Sequence, residues 1–234
     1  MMISTKSVVA AAFSVLIFSG GAEAGECPVT NGQLKKALVS ADEADSSGLN
    51  NHYWAVVTDR SGAVCAIAYS GEQADSQWLV SRQIAAAKAF TANGLSLTAN
   101  SGPISTAQLY PWVQGSPSGG NPLFGLAFGN PVDGSAIYDG GLGKYGTEKD
   151  PMLGRRLGGT ITFGGGLGLY RSGNAIGGLG LSGDTACADH STAWRTRLKL
   201  KLAPNPAVDT LTFGDTNGHP HCPNDGATQG VTAD

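Results

Sequence analysis

Histidine is the side chain of this sequence best suited to bind a metal ion, because a neutral imidazole nitrogen is a common metal ligand. His190 lies in the first two turns of a predicted helix, between Cys187 and Trp194 on the helical wheel, so partial burial is expected. His52 begins a predicted strand. The other two histidines, His219 and His221, lie in a polar tail over residues 203–234, where we expect them to be exposed beside a disulfide. His190 is therefore the first candidate metal ligand and His52 the second. An imidazole bonded to a carbonyl at the edge of the core is an equal alternative for His190.

Three consecutive glycines form the second candidate site. Gly164, Gly165 and Gly166 interrupt the apolar alternation of residues 159–170, in which Ile161, Phe163, Leu167 and Leu169 share one parity. Glycines inside a strand indicate a bulge or the close approach of another backbone or a ligand. The pattern therefore allows either a flat ligand or tight packing at this point, and it does not choose between them.

The common catalytic motifs do not occur in this sequence. It contains no P-loop, no zinc motif of the H-E-x-x-H type and no G-x-S-x-G motif between a strand and a helix. Asp189 and His190 are adjacent on a predicted helix and point about a hundred degrees apart, so their spacing does not make an acid–base dyad. We therefore predict no catalytic residue, and whether the protein is an enzyme stays open, with a non-catalytic role preferred.

The first 24 residues have the pattern of a secretory signal peptide. Lys6 supplies a positive charge, residues 8–18 form an apolar core, and Ala22-Glu23-Ala24 matches a cleavage site before Gly25. We expect a periplasmic or secreted protein that does not bind a membrane after cleavage. The net charge of −3 without a basic run gives no electrostatic support for nucleic-acid binding.

The cysteines support the same compartment. All four follow the predicted cleavage site, and an even number in an oxidising compartment suggests disulfides. Three pairings are possible. We favour Cys27–Cys65 with Cys187–Cys222, because each bond would tie one end of the chain to the core. A metal site of Cys187, Cys222 and nearby histidines is the less favoured alternative.

Periodicity predicts an α+β domain over residues 25–202, with helices packed on a single antiparallel sheet. Residues 130–158 are rich in glycine and polar side chains, so we expect a long inserted loop there. Residues 203–234 are expected to be a tail tethered by a disulfide. The predicted helices cover residues 33–44, 75–93, 105–112 and 185–202, and the predicted strands cover residues 52–59, 63–69, 123–128, 159–170 and 175–181.

Periodicity also assigns faces to two of these helices. Val80, Ile84, Ala87 and Thr91 are predicted to form the buried face of the helix over residues 75–93. In the helix over residues 185–202, Cys187, Ser191, Trp194 and Leu198 are predicted to share one face, with Arg195, Arg197, Lys199 and Lys201 mostly outside. Thr30 or Asn31 is predicted to cap the first helix and Asp184 the last one, and Gly94 is predicted to end the helix over residues 75–93.

Several of these segments together resemble the GlcG/HbpS-type haem-binding family. The glycine-rich strand, its turn and a returning strand that ends in Gly180-Leu181-Ser182-Gly183 match the family's C-terminal half. Residues 56–62 are similar to its V-V-D-x-x-G hairpin, with one extra Thr before the Asp, and residues 81–92 resemble its S-x-x-K-A-x-T-A helix. Residues 187–190 and 218–222 are similar to motifs of secreted relatives. The resemblance covers roughly residues 30 to 200 without the insertion.

The resemblance implies a profilin-like or PAS-like sheet of about five strands and a non-covalently bound haem. Covalent attachment is excluded because no C-x-x-C-H motif occurs. Lys88 and Thr91 are the polar positions that match the family's helix, although an exposed lysine and a packed threonine are slightly favoured. The candidate haem-binding residues are therefore His190, His52, Lys88, Thr91, Gly164, Gly165 and Gly166, with His190 as the iron ligand.

Three functions follow, in order of preference. The first is an exported protein that binds haem or another flat tetrapyrrole for capture, storage or sensing, and that forms a homo-oligomer. The second is an enzyme acting on a small organic acid or related metabolite, which would need converging polar groups, for example Lys88, Asp59 and His190, in one pocket. The third is an exported structural or partner-binding protein in which the glycines serve close packing.

Overall fold

A computed structural model describes residues 25–98, 102–115, 121, 123–126, 130–214 and 218–228. The predicted signal peptide over residues 1–24 lies outside this part of the chain. The helices are α1 (Asn31–Asp42), α2 (Leu79–Leu95), α3 (Tyr110–Val113) and α4 (Ala186–Leu200), and the strands are β1 (Trp54–Asp59), β2 (Val64–Tyr69), β3 (Gly166–Arg171) and β4 (Asn174–Ser182). Short 3-10 turns cover Gly134–Ala136, Leu142–Lys144 and Asp225–Thr228.

The strands form one antiparallel sheet in the order β2-β1-β4-β3. The α+β class with a single antiparallel sheet is confirmed, but the sheet has four strands in the described chain rather than about five. The predicted strand over residues 123–128 is a turn where it is described, at residues 123–126. The predicted strand over residues 159–170 is regular only from Gly166 onwards, because the preceding glycines turn the backbone away from the ladder.

Helices cover both faces of the sheet. Leu167, Leu169, Leu179 and Leu181 belong to the core cluster that also contains Leu34 and Leu38 of α1 and Ala193 and Trp194 of α4. On the other face, Trp54, Val56 and Ile67 pack with three alanines of α2 and with apolar residues of the insertion. The strands alternate between these two cores because successive side chains of a strand point to opposite faces.

The glycines of β4 allow α2 to lie directly on the sheet. A Cβ atom at Gly178 or Gly180 would overlap the carbonyl oxygen of Ala89 or Ala85 in α2. These positions therefore serve close backbone packing, which is one of the two alternatives that the sequence leaves open for glycines in this hairpin.

Residues 130–158, the predicted insertion, form a folded loop that is bonded to α2. Ile137, Tyr145 and Met152 are buried in the second core cluster. Both guanidinium ends of Arg82 donate to the Asp150 carboxylate at 2.6 Å, and both side chains are buried. An ion pair with two parallel hydrogen bonds fixes the position of residues 130–158 against the sheet.

Several predicted faces and helix ends differ from the structure. Val80 and Leu198 were predicted to be buried, but each is more than half exposed. Arg197 was predicted to lie outside, yet it is buried and paired with Asp209 of the tail. Thr185 caps α4 in place of Asp184, whose carboxylate instead accepts from the backbone of the loop before β1. Likewise α2 continues through Gly94 to Leu95.

Candidate functional site

The three glycines before β3, which we call the glycine turn (residues 164–166), lie at the centre of a buried polar cluster. Each of its backbone N–H groups donates to a different side chain. Gly164 donates to Nε2 of His219 at 2.8 Å. Gly165 donates to Nδ1 of His190 at 3.4 Å, and Gly166 to Oγ1 of Thr106 at 2.8 Å. Buried N–H groups require such partners, so these side chains hold the turn in place.

The backbone geometry explains why this turn consists of glycine. Gly165 has a φ of +118°, in a region that side chains strongly disfavour. A Cβ atom there would also lie only 2.8 Å from Nζ of Lys88. Glycine is therefore required by the backbone and by the neighbouring lysine.

His190 is completely buried, and both of its ring nitrogens are engaged. Nδ1 accepts the hydrogen bond from the glycine turn, and Nε2 donates to the carbonyl oxygen of Asp209 at 3.1 Å. Burial in the core lowers the pKa of His190 well below its ordinary value, so the ring is neutral. Iron coordination by His190 would require one of these hydrogen bonds to break.

His219 is a member of the cluster that the sequence analysis missed. It was interpreted as an exposed tail residue, but it is only 2% exposed and its Nδ1 donates to the carbonyl oxygen of Pro220 at 2.9 Å. Burial lowers the pKa of His219 to about 4. The signal that could have identified it is the Gly-His-Pro motif over residues 218–220, which resembles the secreted relatives.

The side chain of Lys88 extends from α2, on one face of the sheet, to α4, on the other. Its Nζ donates to the carboxylate of Asp189 at 2.6 Å and to the carbonyl oxygen of Leu181 at 3.0 Å. Burial lowers the pKa of Lys88 and raises that of Asp189, while the ion pair opposes both shifts. The expectation of an exposed lysine is therefore wrong. Asp189 also accepts from the backbone of Gly183 and Asp184, which completes the contacts of its carboxylate.

Thr91 supports the segment that leads into the glycine turn. Its hydroxyl donates to the carbonyl oxygen of Ala87 at 2.7 Å and accepts from the N–H of Ile161 at 3.1 Å. This is the packed role that the sequence analysis favoured for Thr91.

His52 lies apart from this cluster, at the surface. Its side chain is 48% exposed, and Nδ1 lies 2.9 Å from Oδ2 of Asp42. A carboxylate beside one ring nitrogen orients an imidazole so that the other nitrogen faces outwards, as in many metal sites. His52 borders a cavity of about 270 Å³ whose lining includes Asp42, Glu43 and Asp45.

The structure thus brings Gly164, Gly165, Gly166, His190 and Lys88 together but closes them from solvent. The side chains of this cluster satisfy one another and the backbone, and the described cavities are lined by other residues. In this conformation the cluster joins α2, α4, β4 and the tail, and it has no room for a ligand as large as haem.

Both disulfides match the pairing favoured from the sequence. Cys27 is bonded to Cys65, and Cys187 to Cys222. Cys187, Cys222 and Asp225 also lie close enough to share an ion, but the two sulfur atoms are bonded to each other. The described part of the chain has no free cysteine.

The family model described as "Haem degrading protein HbpS-like" matches residues 33–196. The chain belongs to this HbpS-like family. The match includes most of α1 and α4, all of α2, the four strands and residues 130–158, so the glycine turn and Lys88 lie within the family domain. Membership of this family supports haem as the cofactor.

Three solved structures are distantly similar to this chain. One is a complex of PduOC with heme, with 24% identity, a TM-score of 0.47, and coverage of 72% of this chain and 89% of that chain. The Klebsiella pneumoniae protein ORFY has 22% identity, a TM-score of 0.47, and coverage of 74% and 90%. HbpS has 16% identity, a TM-score of 0.41, and coverage of 72% and 84%. No curated protein matches the chain.

Proposed function

We propose that this protein binds haem non-covalently after export and serves in haem capture, storage or sensing. The observation that supports haem as the ligand is the match of the HbpS-like family model to residues 33–196. The signal-peptide pattern of residues 1–24 supports export. The two disulfides fit an oxidising compartment, periplasmic or extracellular. No helix in the described ranges is long and apolar enough to cross a bilayer.

The predicted iron ligands differ in how accessible they are. His190 would have to give up a hydrogen bond to the glycine turn or to Asp209. His52 has a half-exposed imidazole that Asp42 already orients, so it is the ligand that the geometry favours. Lys88 and the glycine turn then support the domain rather than touch haem.

A haem titration followed by absorbance tests the proposal. The mature, oxidised protein is expected to give a saturable shift of the Soret band. We expect His52→Ala to change the position of the bound Soret band. His190→Ala is expected to leave the band in place but to lower the denaturation midpoint, because it removes two buried hydrogen bonds.

Each outcome is informative. A band changed only by His190→Ala would restore His190 as the ligand and imply that the cluster opens. A band unchanged in both variants would keep haem binding and exclude both histidines as ligands. The absence of any saturable shift in the wild-type protein would remove haem as the ligand.

The geometry does not favour an enzyme acting on a small organic acid. Lys88, Asp59 and His190 were the example of polar groups that such an enzyme would bring into one pocket. Trp54 at the start of β1 pairs with Ser182, beside the Lys88 cluster, while Asp59 pairs with Gly177 at the other end. Five residues of strand separate these ends by roughly 17 Å. Asp59 instead accepts from Ser61 and Ala63 in its own hairpin.

A homo-oligomer and a profilin-like or PAS-like sheet remain part of the proposal. The mass of the oxidised protein in solution, measured by light scattering with and without haem, tests the oligomer. A single-chain mass in both conditions would exclude it.

A further inference from the structure

The buried carboxylate of Asp59 has no cation beside it among the described residues. Asp59 ends β1 and is only 1% exposed. Its Oδ1 atom accepts from the hydroxyl of Ser61 at 2.7 Å and from the N–H of Ala63 at 3.1 Å. No hydrogen bond from the described chain reaches Oδ2, and the ion pairs of that part of the chain do not include Asp59. Because an unpaired buried charge is costly, this carboxylate differs from the three buried ones that form ion pairs.

The two arginines closest to this carboxylate along the β1–β2 turn bind other groups. Arg60 donates to the side chain of Asn93 in α2 at 2.8 Å. Arg156 donates to the carbonyl oxygen of Ser61 at 3.0 Å and to its hydroxyl at 2.7 Å. The turn therefore binds two guanidinium groups, and Oδ2 of Asp59 can still accept from a further donor.

The chain returns to Asp59 at Gly25, the residue that follows the predicted cleavage site. A Cβ atom added to Gly25 would lie 3.5 Å from Cβ and 3.6 Å from Cγ of Asp59. The next atom is the backbone nitrogen of Arg60, also at 3.6 Å, and no described atom outside the adjoining residues is closer. This position beside the carboxylate is therefore open to an atom bonded to Cα of Gly25.

Signal cleavage would allow a cation to occupy this position. In the precursor the nitrogen of Gly25 belongs to a planar, neutral amide. In the mature chain it is an ammonium group, and a staggered rotation of about 120° about the Cα–C bond moves it to the Cβ position. A separation of 3.6 Å from Cγ of Asp59 then suits a charge-assisted hydrogen bond, in which N and O are about 2.7–2.9 Å apart.

A disulfide bond holds this end of the chain close to β1. Cys27 is bonded to Cys65 in β2, the strand that pairs with β1. Only Glu26 lies between Gly25 and the bonded cysteine. The new N-terminus is therefore confined near Asp59, and the pair forms with little further loss of conformational entropy.

We propose that Asp59 binds the α-ammonium group that signal cleavage creates at Gly25, and that this ion pair completes the fold only in the mature protein. The inference rests on export, which is part of the proposed function, and it does not depend on haem. The precursor has a neutral amide at this place, so its buried carboxylate stays unpaired. We therefore expect the mature chain to be more stable than a form in which the ammonium group is displaced.

A double-mutant cycle in urea at pH 7 tests the pair in the oxidised protein. Each protein is released from a tag by a protease that leaves a defined first residue. One change keeps Ala24 before Gly25, which moves the ammonium group by about 3.8 Å. The other is Asp59→Asn, which keeps an acceptor for the N–H of Ala63. We expect the extension to lower the urea midpoint of the wild type but not that of Asp59→Asn.

Glu26→Gln is the matched control for this cycle. Glu26 also carries a carboxylate next to Gly25, but its side chain is exposed. We expect the extension to lower the midpoint of Glu26→Gln as much as that of the wild type, because an exposed pair contributes little.

Labelling of the α-amino group with acetic anhydride gives a direct measurement. A nearby carboxylate favours the protonated amine, which does not react. At pH 7 we expect Gly25 to be labelled about tenfold more slowly in the wild type than in Asp59→Asn, and equally slowly in the wild type and Glu26→Gln. Mass spectrometry of the N-terminal peptide measures the rate.

The outcomes separate this inference from haem binding. A midpoint that the extension lowers equally with and without Asp59→Asn would overturn the pair, and so would equal labelling rates in the wild type and Asp59→Asn. The mass of the exported protein is expected to show a chain that begins at Gly25. A chain cut elsewhere or left uncut would overturn both this inference and the predicted cleavage site. Absence of a Soret shift would overturn haem binding and leave the Asp59 pair intact.

Discussion

At the scale of single residues, three buried ion pairs join parts of the fold. Lys88 with Asp189, Arg82 with Asp150 and Arg197 with Asp209 are three ion pairs whose side chains are almost completely buried. Removal of one partner from such a pair typically costs about 3–5 kcal/mol, because the other charge is left uncompensated. Lys88 and Asp189 are 101 positions apart and Arg82 and Asp150 are 68 apart, while Arg197 pairs with Asp209 of the following tail, 12 positions on.

His219 makes the stability of the protein sensitive to acid. Its pKa is about 4 in the folded chain, against about 6.5 for an unfolded histidine. Between these values the unfolded chain binds the proton and the folded chain does not. The contribution of neutral His219 to the free energy of unfolding is therefore fully present above about pH 6.5. It falls by about 3 kcal/mol in total as the pH is lowered to 4.

We expect His219→Leu to be less stable than the wild type at pH 7, because Gly164 loses its acceptor. We also expect its stability to fall less steeply between pH 6.5 and 4. Urea denaturation at intervals of one pH unit measures both effects, with His221→Leu as the control in the same tail. Equal slopes for His219→Leu and the wild type would show that His219 is not the group that titrates.

At the scale of elements, the contact between α2 and β4 depends on two glycines of β4, which have no side chain. Gly178 and Gly180 face α2, while Leu179 and Leu181 face the other core. This alternation lets the helix backbone approach the strand on one side and fills the core on the other.

Gly180→Ala is expected to lower the free energy of unfolding by about 3 kcal/mol or more, because a rigid backbone carbonyl cannot move aside as a side chain can. Gly143→Ala is the matched control, since a Cβ atom there would contact nothing within 4 Å. We expect the control to stay within about 0.5 kcal/mol of the wild type in chemical denaturation. A loss below 1 kcal/mol for Gly180→Ala would mean that α2 lies less tightly on the sheet.

At the scale of the whole molecule, the tail packs against the domain through several specific contacts. Asp209 pairs with Arg197, and its carbonyl accepts from His190. His219 binds the glycine turn, and Cys222 is bonded to Cys187. These contacts reach α4 and the glycine turn before β3, so the tail packs against the end of the sheet at which Lys88 and Asp189 meet.

Removal of the tail disulfide tests this arrangement. Cys187→Ala/Cys222→Ala is expected to cost about 2–4 kcal/mol and to make the tail the first site of proteolysis. Cys27→Ala/Cys65→Ala is the matched comparison, because it removes a bond of similar span, 38 residues against 35, at the other end of the chain. First cleavage outside residues 203–228 in the Cys187/Cys222 variant would show that the other contacts suffice.

The sequence alone determined the features that depend on near neighbours. Thr30 was predicted as a possible helix cap, and it caps α1 through a reciprocal contact with Gln33. Two apolar runs on either side of the short turn at residues 60–62 predicted the β1–β2 hairpin, and the pairing of the strands confirms it. The family followed from short motifs spread over residues 56–183, and its match over residues 33–196 confirms it.

Only the tertiary structure decided which polar residues are buried. Lys88 and Asp189 are 101 positions apart, and Gly164 and His219 are 55 apart. Helical periodicity reports which face a residue occupies on its own helix, but not whether a distant segment covers that face. For the same reason Lys36 of α1, Arg171 at the end of β3 and Lys199 of α4 come to line one cavity only after folding.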